Sequence, residues 1–340
     1  MRASQSSTLP PVQRRDDAPE LIPLFDAVEA APGDDGPRQV LSDALLERGD
    51  VRGEFISLQL LKARGVSTPK QDARAKILEE NHWRRWLAEV PGVGVSPTLI
   101  TPINDFHRGF LRSCVLSPSG IGVDSPTWRM VERIDLAATG DARELAAPAL
   151  TQLSVLTGLD AACVKIVLDG PAKPRLRELG FAGPWLQADR GRQEQQLVMA
   201  LNRFPSLKVL SLAPSPFRHH ADGLAWLFEA PIVRQLDRLK LWVELPFDVA
   251  GLHALLQQQR LERLKLELTN QGVSLVMDAG WLTVRFVSEF WLGQRVQALR
   301  NLGRHFAPFP YRRFDVMVGE RRATPQELER LGDAFTAHAT

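Results

Sequence analysis

Hydrophobic and polar positions along the chain follow two rhythms. Between Leu176 and Leu268 an apolar residue recurs at the first, fourth and sixth places of a short motif. It reads Leu176-Arg-Glu-Leu179-Gly-Phe181, then Leu207-Lys-Val-Leu210-Ser-Leu212, Leu236-Asp-Arg-Leu239-Lys-Leu241 and Leu261-Glu-Arg-Leu264-Lys-Leu266. An earlier relative is Val131-Glu-Arg-Ile134-Asp-Leu136. Residues two apart share one face of a strand, so each motif predicts a short strand with one buried side. The second rhythm is helical and follows the strands. Leu197, Ala200, Leu201 and Phe204 form one i, i+3, i+4 set; Leu224, Leu227 and Phe228 form the next, and Leu252, Leu255 and Leu256 the last.

Motif starts at 176, 207, 236 and 261 leave room for one strand and one helix with turns between them. L-x-x-L-x-L is the signature of a leucine-rich repeat. The expected fold class is therefore α/β, a leucine-rich-repeat-like solenoid over 131–269 in which neighbouring strand–helix pairs share one core. An ordinary α/β domain with Leu-rich strands is the alternative. The interval from Val131 to Leu176 holds about two shortened repeats, with Val164-Lys-Ile-Val-Leu168 as the expected extra strand. Past Leu268 the period fails. Val273, Leu275 and Met277, then Leu282, Val284 and Phe286, alternate around Asp278-Ala-Gly280 as in a β-hairpin. A helix with Phe290, Val296 and Leu299, a strand at 314–318, and a helix opened by the capping box Thr324-Pro-Gln-Glu327 complete a C-terminal cap over 270–340. That last helix is expected to bury Leu328, Leu331 and Phe335.

The N-terminal part is patterned differently. Residues 1–19 are rich in Ser, Pro and charge and predict a disordered tail. Residues 20–90 predict a small all-helical module. Its first helix carries Leu21, Phe25 and Val28; its second opens at Pro37, carries Val40, Leu41, Ala44 and Leu45, and stops at Gly49. A third carries Phe55, Leu58 and Leu61, and a fourth opens at the box Thr68-Pro-Lys-Gln71 and carries Ile77, Leu78 and Trp86 to about Val90. Residues 91–130 read as a linker and cap, with a strand over 110–116.

Within the helical module, Pro32, Asp34, Asp35, Pro37, Arg38, Asp43, the run Glu47-Arg-Gly-Asp50 and the run Arg52-Gly-Glu-Phe55 form a pattern. This stretch resembles the bacterial repeat-companion domain, a short helical module that precedes degenerate leucine-rich-like repeats. It departs from that family at Ala44-Leu45, where a Trp is expected after the central Asp. The resemblance covers about forty residues and implies that repeats should follow. It implies no catalytic activity.

Composition narrows the function classes. The apolar fraction is 44% and the charged fraction 24%, as in an ordinary globular protein, and the net charge of +2 offers no general attraction to nucleic acid or membrane. No apolar run reaches a membrane span, and the N-terminus lacks an apolar signal region, so the expected location is the cytoplasm. Two cysteines, Cys114 and Cys163, make neither a disulfide framework nor a metal quartet. His219, His220 and Asp222 are a poor metal set, because adjacent histidines point apart on a helix. No nucleophile elbow, phosphate loop, dinucleotide fingerprint or zinc-protease motif is present. The chain is expected to be no enzyme, with no catalytic residues, no metal and no cofactor.

The outward positions of the motif strands carry the remaining information. They place Arg238, Lys240, Arg263 and Lys265 side by side, with Trp242 beside them, on the concave face where solenoids hold partners. Asp237, Glu244, Glu262 and Glu267 are available to balance that charge. The expected function is a non-enzymatic protein–protein interaction scaffold whose partner presents an acidic surface. The alternative is an acidic ligand such as RNA on the Arg238–Lys265 patch, where cations beside an aromatic suit phosphate and base stacking.

Overall fold

The computed structural model describes residues 18–87, 90, 105–116, 126–136, 145, 148–160, 170, 171, 173–182, 195, 197–199, 201–213, 225–242, 249–270, 272–278, 281–288, 290–292 and 313–331. The chain divides into two compact units, Met1–Ser154 and Val155–Thr340, both of mixed α/β character. The disordered tail expected over 1–19 falls almost wholly outside the described residues. So do the strand expected at 164–168, Cys163, the His219–Asp222 group, Glu244, and the helical positions Val296 and Leu299.

The first unit contains four helices: α1 (Ile22–Ala30), α2 (Gly36–Glu47), α3 (Val51–Ala63) and α4 (Pro69–Leu87). Their ends follow the punctuation in the sequence. Pro37 stands in the first turn of α2, and Gly49 takes the left-handed conformation (φ +73°) just beyond it. Asp50 caps α3 by accepting from the Arg52 amide. Thr68 and Gln71 form the reciprocal box that starts α4, with the Thr68 amide donating to Gln71 Oε1 at 2.8 Å. The buried faces differ from the expected ones in three places. Val40 and Ile77 are exposed, and α3 packs through Phe55, Ile56 and Leu60, with Leu58 and Leu61 only half-buried.

Strands β1 (Asp105–His107) and β2 (Phe110–Leu116) make an antiparallel hairpin, and β2 pairs in parallel with β3 (Arg133–Leu136). The hairpin's turn is locked onto the helices. Arg108 reaches Asp35 at 3.2 Å, and the Gly109 amide donates to Gln59 Oε1 at 3.1 Å. Gly109 has φ +84°, and a Cβ there would stand 2.2 Å from Ile56 Cγ1, so only glycine permits this approach. Phe110 then enters the helical core with Phe25, while Phe106 packs on Phe55 and Trp86. Two buried arginines complete the contact. The Arg52 guanidinium lies 5.2 Å from the Phe110 ring centre and 5.3 Å from that of Phe25, and Arg38 lies 5.7 Å from Phe110.

In the second unit, β4 (Val155–Leu159), β5 (Glu178–Ala182), β6 (Val209–Ala213), β7 (Arg238–Trp242) and β8 (Lys265–Asn270) pair in parallel, each with the next in sequence. Helix α5 (Ala225–Glu229) precedes β7, and α6 (Val249–Gln258) precedes β8. The inward leucines form the core: Leu179, Leu210, Leu212, Leu239, Leu241, Leu266 and Leu268 are all buried. Next come β9 (Val273–Asp278) and β10 (Trp281–Phe286), an antiparallel hairpin in the expected register, with Asp278 opposite Trp281. Strand β11 (Arg313–Val318) pairs in parallel with β10 and antiparallel with the short β12 (Arg321–Arg322). The last helix, α7 (Pro325–Leu331), starts at the expected box, where the Thr324 amide donates to Glu327 Oε2 at 2.7 Å. The side chains of Leu331 and Phe335 lie outside the described residues; within the helix Leu328 is half-buried and Glu327 is buried.

Candidate functional site

Strand alternation turns one row of side chains inward and leaves the other on the opposite face of the second unit's sheet. On β7 the outward residues are Arg238, Lys240 and Trp242, all half-buried, as expected from the motif. On β8 the expected register is off by two residues. Arg238 pairs with Lys265, Leu239 with Leu266, Lys240 with Glu267 and Trp242 with Thr269. Lys265 therefore stands beside Arg238, and a carboxylate stands where Lys265 was placed, beside Lys240.

The cause lies in the turn ahead of each strand. The amides of Leu176, Leu207 and Leu236 each donate to the carbonyl three residues earlier, and each strand core begins three residues later. In the fourth motif Leu264 makes that turn, donating to the Leu261 carbonyl at 3.0 Å. The core leucine is then Leu266, only two residues on, so that turn and strand together read Leu264-Lys-Leu266-Glu-Leu268. One residue is missing relative to the other motifs. Arg263 is consequently not on the outward face; it is exposed in the turn before β8.

The cations on the face do not crowd one another. Arg238 forms an ion pair with Glu267, Lys240 Nζ stands 3.9 Å from Glu178 Oε1, and Lys265 Nζ stands 3.0 Å from Asp278 Oδ2. The Lys240–Glu178 pair bridges β7 to β5 across β6, whose small Ser211 lies between. Asp237 is also engaged, 3.6 Å from Lys208. The expected row of four cations side by side is thus corrected to an alternating lattice of opposite charges. Sequence reasoning named Glu267 as a balancing charge. It missed Glu178 and Asp278, because their proximity depends on strand order rather than on the motif.

Thr269 stands beside Trp242, while further along the face Ser211 lies beside Lys240, Val209 beside Arg238 and Val276 beside Glu267, each half-buried. Gly180 belongs to the same row on β5, and a Cβ there would come within 3.0 Å of Thr157 Cγ2. Glycine at 180 thereby keeps this end of the row low.

Below Arg263 lies a second feature, a groove of about 460 Å³ between the turn ahead of β7 and the turn ahead of β8. Arg234, Arg260 and Arg263 line it, together with Gln258, Gln259 and Glu262.

Burial pushes the Cys114 thiol up to about 12, which leaves it an inert core residue. Burial also pulls the Lys173 ammonium down to about 8, and lowers His107 and His253 from their usual range. Among the described residues no three His, Cys, Asp or Glu side chains are grouped to hold a metal, and no helix is long and apolar enough to cross a membrane. No family model, curated protein or solved structure matches the chain.

Proposed function

We propose that the strand–helix succession is a leucine-rich-repeat-like solenoid and that its outward face over β5–β9 is a non-enzymatic platform for another protein. One observation carries this reading: Trp242 is set among charges already paired within the face. A half-buried aromatic inside a polar, internally balanced surround has the make-up of a protein interface, where aromatic anchors supply most of the energy. The pairing of Arg238, Lys240 and Lys265 favours this over RNA, since cations held by carboxylates have less charge to offer phosphates. A partner acidic overall is no longer required; the lattice suits a surface of mixed charge. The N-terminal helices belong to the same proposal as a repeat-companion module. In support, Arg38, Asp50, Arg52 and Gly53 of the resembling stretch all act in fixing its turns and its packing on β2. A cytoplasmic setting is part of the proposal as well.

The test is affinity capture from the native cell, with bound proteins identified by mass spectrometry and the dominant one then purified. Lys240→Ala/Trp242→Ala should weaken that purified pair at least tenfold, while Arg322→Ala leaves it unchanged. Between 50 and 200 mM salt the affinity should change only a few-fold. A loss of about 10³-fold or more would mark phosphate contacts and return the reading to RNA. Full retention by the double variant would place the binding face elsewhere.

A further inference from the structure

The groove ahead of β7 and β8 differs from the face in one respect: among the described residues its cations have no ion-pair partner. On the face, Arg238, Lys240 and Lys265 each have a carboxylate partner. In the groove, Arg234, Arg260 and Arg263 form no ion pair among the described residues, although Glu262 also lines the wall. All three arginines are exposed. The dipole of α6, which ends at Gln258, supplies only about half a negative charge. Glu262 supplies one more. Three guanidinium charges therefore leave a surplus of more than one positive charge on a small concave surface.

Arg260 adds a second observation. It closes α6 with φ +56°, the left-handed conformation at which glycine is the usual residue. Its amide donates to the Gln257 carbonyl at 3.0 Å and the Leu261 amide to the Leu256 carbonyl at 2.8 Å, so the backbone forms the ordinary helix stop. The side chain is not needed for that stop. An arginine held at a position that glycine would fill with less strain, on the wall of a groove already lined by two more, points to a use for its charge.

The groove's size and floor define what would fill it. A volume of about 460 Å³ falls in the range of small-molecule sites. The buried side chains of Leu236, Leu261 and Leu264 give it an apolar floor, and the carboxamides of Gln258 and Gln259 add donors and acceptors. We propose that this groove binds a small organic phosphate, the guanidiniums of Arg234, Arg260 and Arg263 holding its phosphate and the apolar floor carrying its organic body. A phosphate monoester bears about two negative charges at neutral pH and offers three acceptor oxygens, which match the charge surplus and the planar forks of arginine.

The test is calorimetric titration of the full chain with adenosine 5′-monophosphate, adenosine, inorganic phosphate and a phosphoserine hexapeptide. Adenosine 5′-monophosphate should bind saturably and at least tenfold more tightly than either adenosine or inorganic phosphate. Arg263→Gln and Arg260→Gly should each weaken it at least tenfold, and Arg260→Gly should melt no lower than the parent. Arg285→Gln, an exposed arginine on β10, should change nothing. The proposal is overturned if the nucleotide fails to saturate, or if inorganic phosphate binds as tightly, which would mean an adventitious ion only. It is also overturned if the hexapeptide binds more tightly than the nucleotide, or if Arg260→Gly leaves the affinity intact.

Discussion

Replacing Gly53 by alanine should destabilise the helical unit, although helix propensity predicts the opposite. Gly53 lies in the first turn of α3, where alanine is favoured over glycine by about 0.5–1 kcal/mol in a helix interior. The structure places α2 directly against it. A Cβ at 53 would stand 2.6 Å from the Ser42 carbonyl oxygen and 2.8 Å from the Leu46 amide nitrogen, against 3.4 Å where ordinary contact begins. Both are backbone atoms, so no rotamer change relieves the clash; α2 and α3 must move apart. That movement would stretch the 2.7 Å bonds from Ser42 Oγ to the Gly53 carbonyl and to Ser57 Oγ. Overpacking of this kind costs about 1–3 kcal/mol and outweighs the propensity gain. Gly33→Ala, with no atom within 4 Å of its Cβ, should stay within about 0.5 kcal/mol of the parent. The assay is native-state hydrogen exchange of the α2 and α3 amides across a urea series, which reads this unit separately from the other. If Gly53→Ala exchanges as slowly as the parent or more slowly, the close α2–α3 approach is refuted.

Leu239 is fully buried, so Leu239→Ala should cost about 2–5 kcal/mol in a denaturant titration, whereas the exposed Gln258→Ala should be nearly silent. A loss below 1 kcal/mol at Leu239 would contradict the shared core. Hydrogen bonds from Arg321 and Thr324 hold the Glu327 carboxyl at about 2, below its ordinary 4.5. Its contribution to the start of α7 is therefore complete above pH 4.5 and should disappear as the pH falls towards 2. Glu327→Gln should remove that pH dependence from the exchange rates of the α7 amides. Finally, Cys114 is buried and poorly acidic, so in a Cys163→Ser background it should resist iodoacetamide at pH 8 until the chain is unfolded. Fast labelling of the native protein would show that the core around β2 opens readily.

Much of this architecture was legible because local chemistry fixed it. The capping boxes at Thr68 and Thr324, the left-handed Gly49, the hairpin around 278–281 and the inward leucines of β5–β7 all depend on residues close in sequence. What escaped notice depends on insertion, deletion or distant pairing. Strand β4 reads Val155-Leu-Thr-Gly-Leu159, and its register breaks between Leu156 and Leu159, so the repeating signature does not show there. The fourth motif matches its pattern from Leu261, but Leu264, Leu266 and Leu268 offer a second frame that is one residue shorter; the turn at Leu264 selects that shorter frame. Moving the turn from Leu261 to Leu264, with one residue fewer before the strand core, shifts the register by two; this took Arg263 from the face to the groove and brought Glu267 in beside Lys240. The exposure of Val40 and Ile77 follows from how α2 and α4 rotate in the assembled core, which periodicity alone does not set.

The insertion of Phe110 among the helices also fixes an order of events during synthesis. Phe25, Arg38, Arg52 and Phe55 wait for aromatic partners that the ribosome makes only after α4 is complete. At about 5–20 residues per second, the chain from Leu87 to Phe110 takes roughly 1–5 s to appear. During that interval two arginines and an aromatic cluster have no Phe106 or Phe110 to cover them, so the four nascent helices should remain loosely packed. They should become protease-resistant in one step, when the β1–β2 hairpin arrives. Truncations released before and after residue 116 would show that step directly.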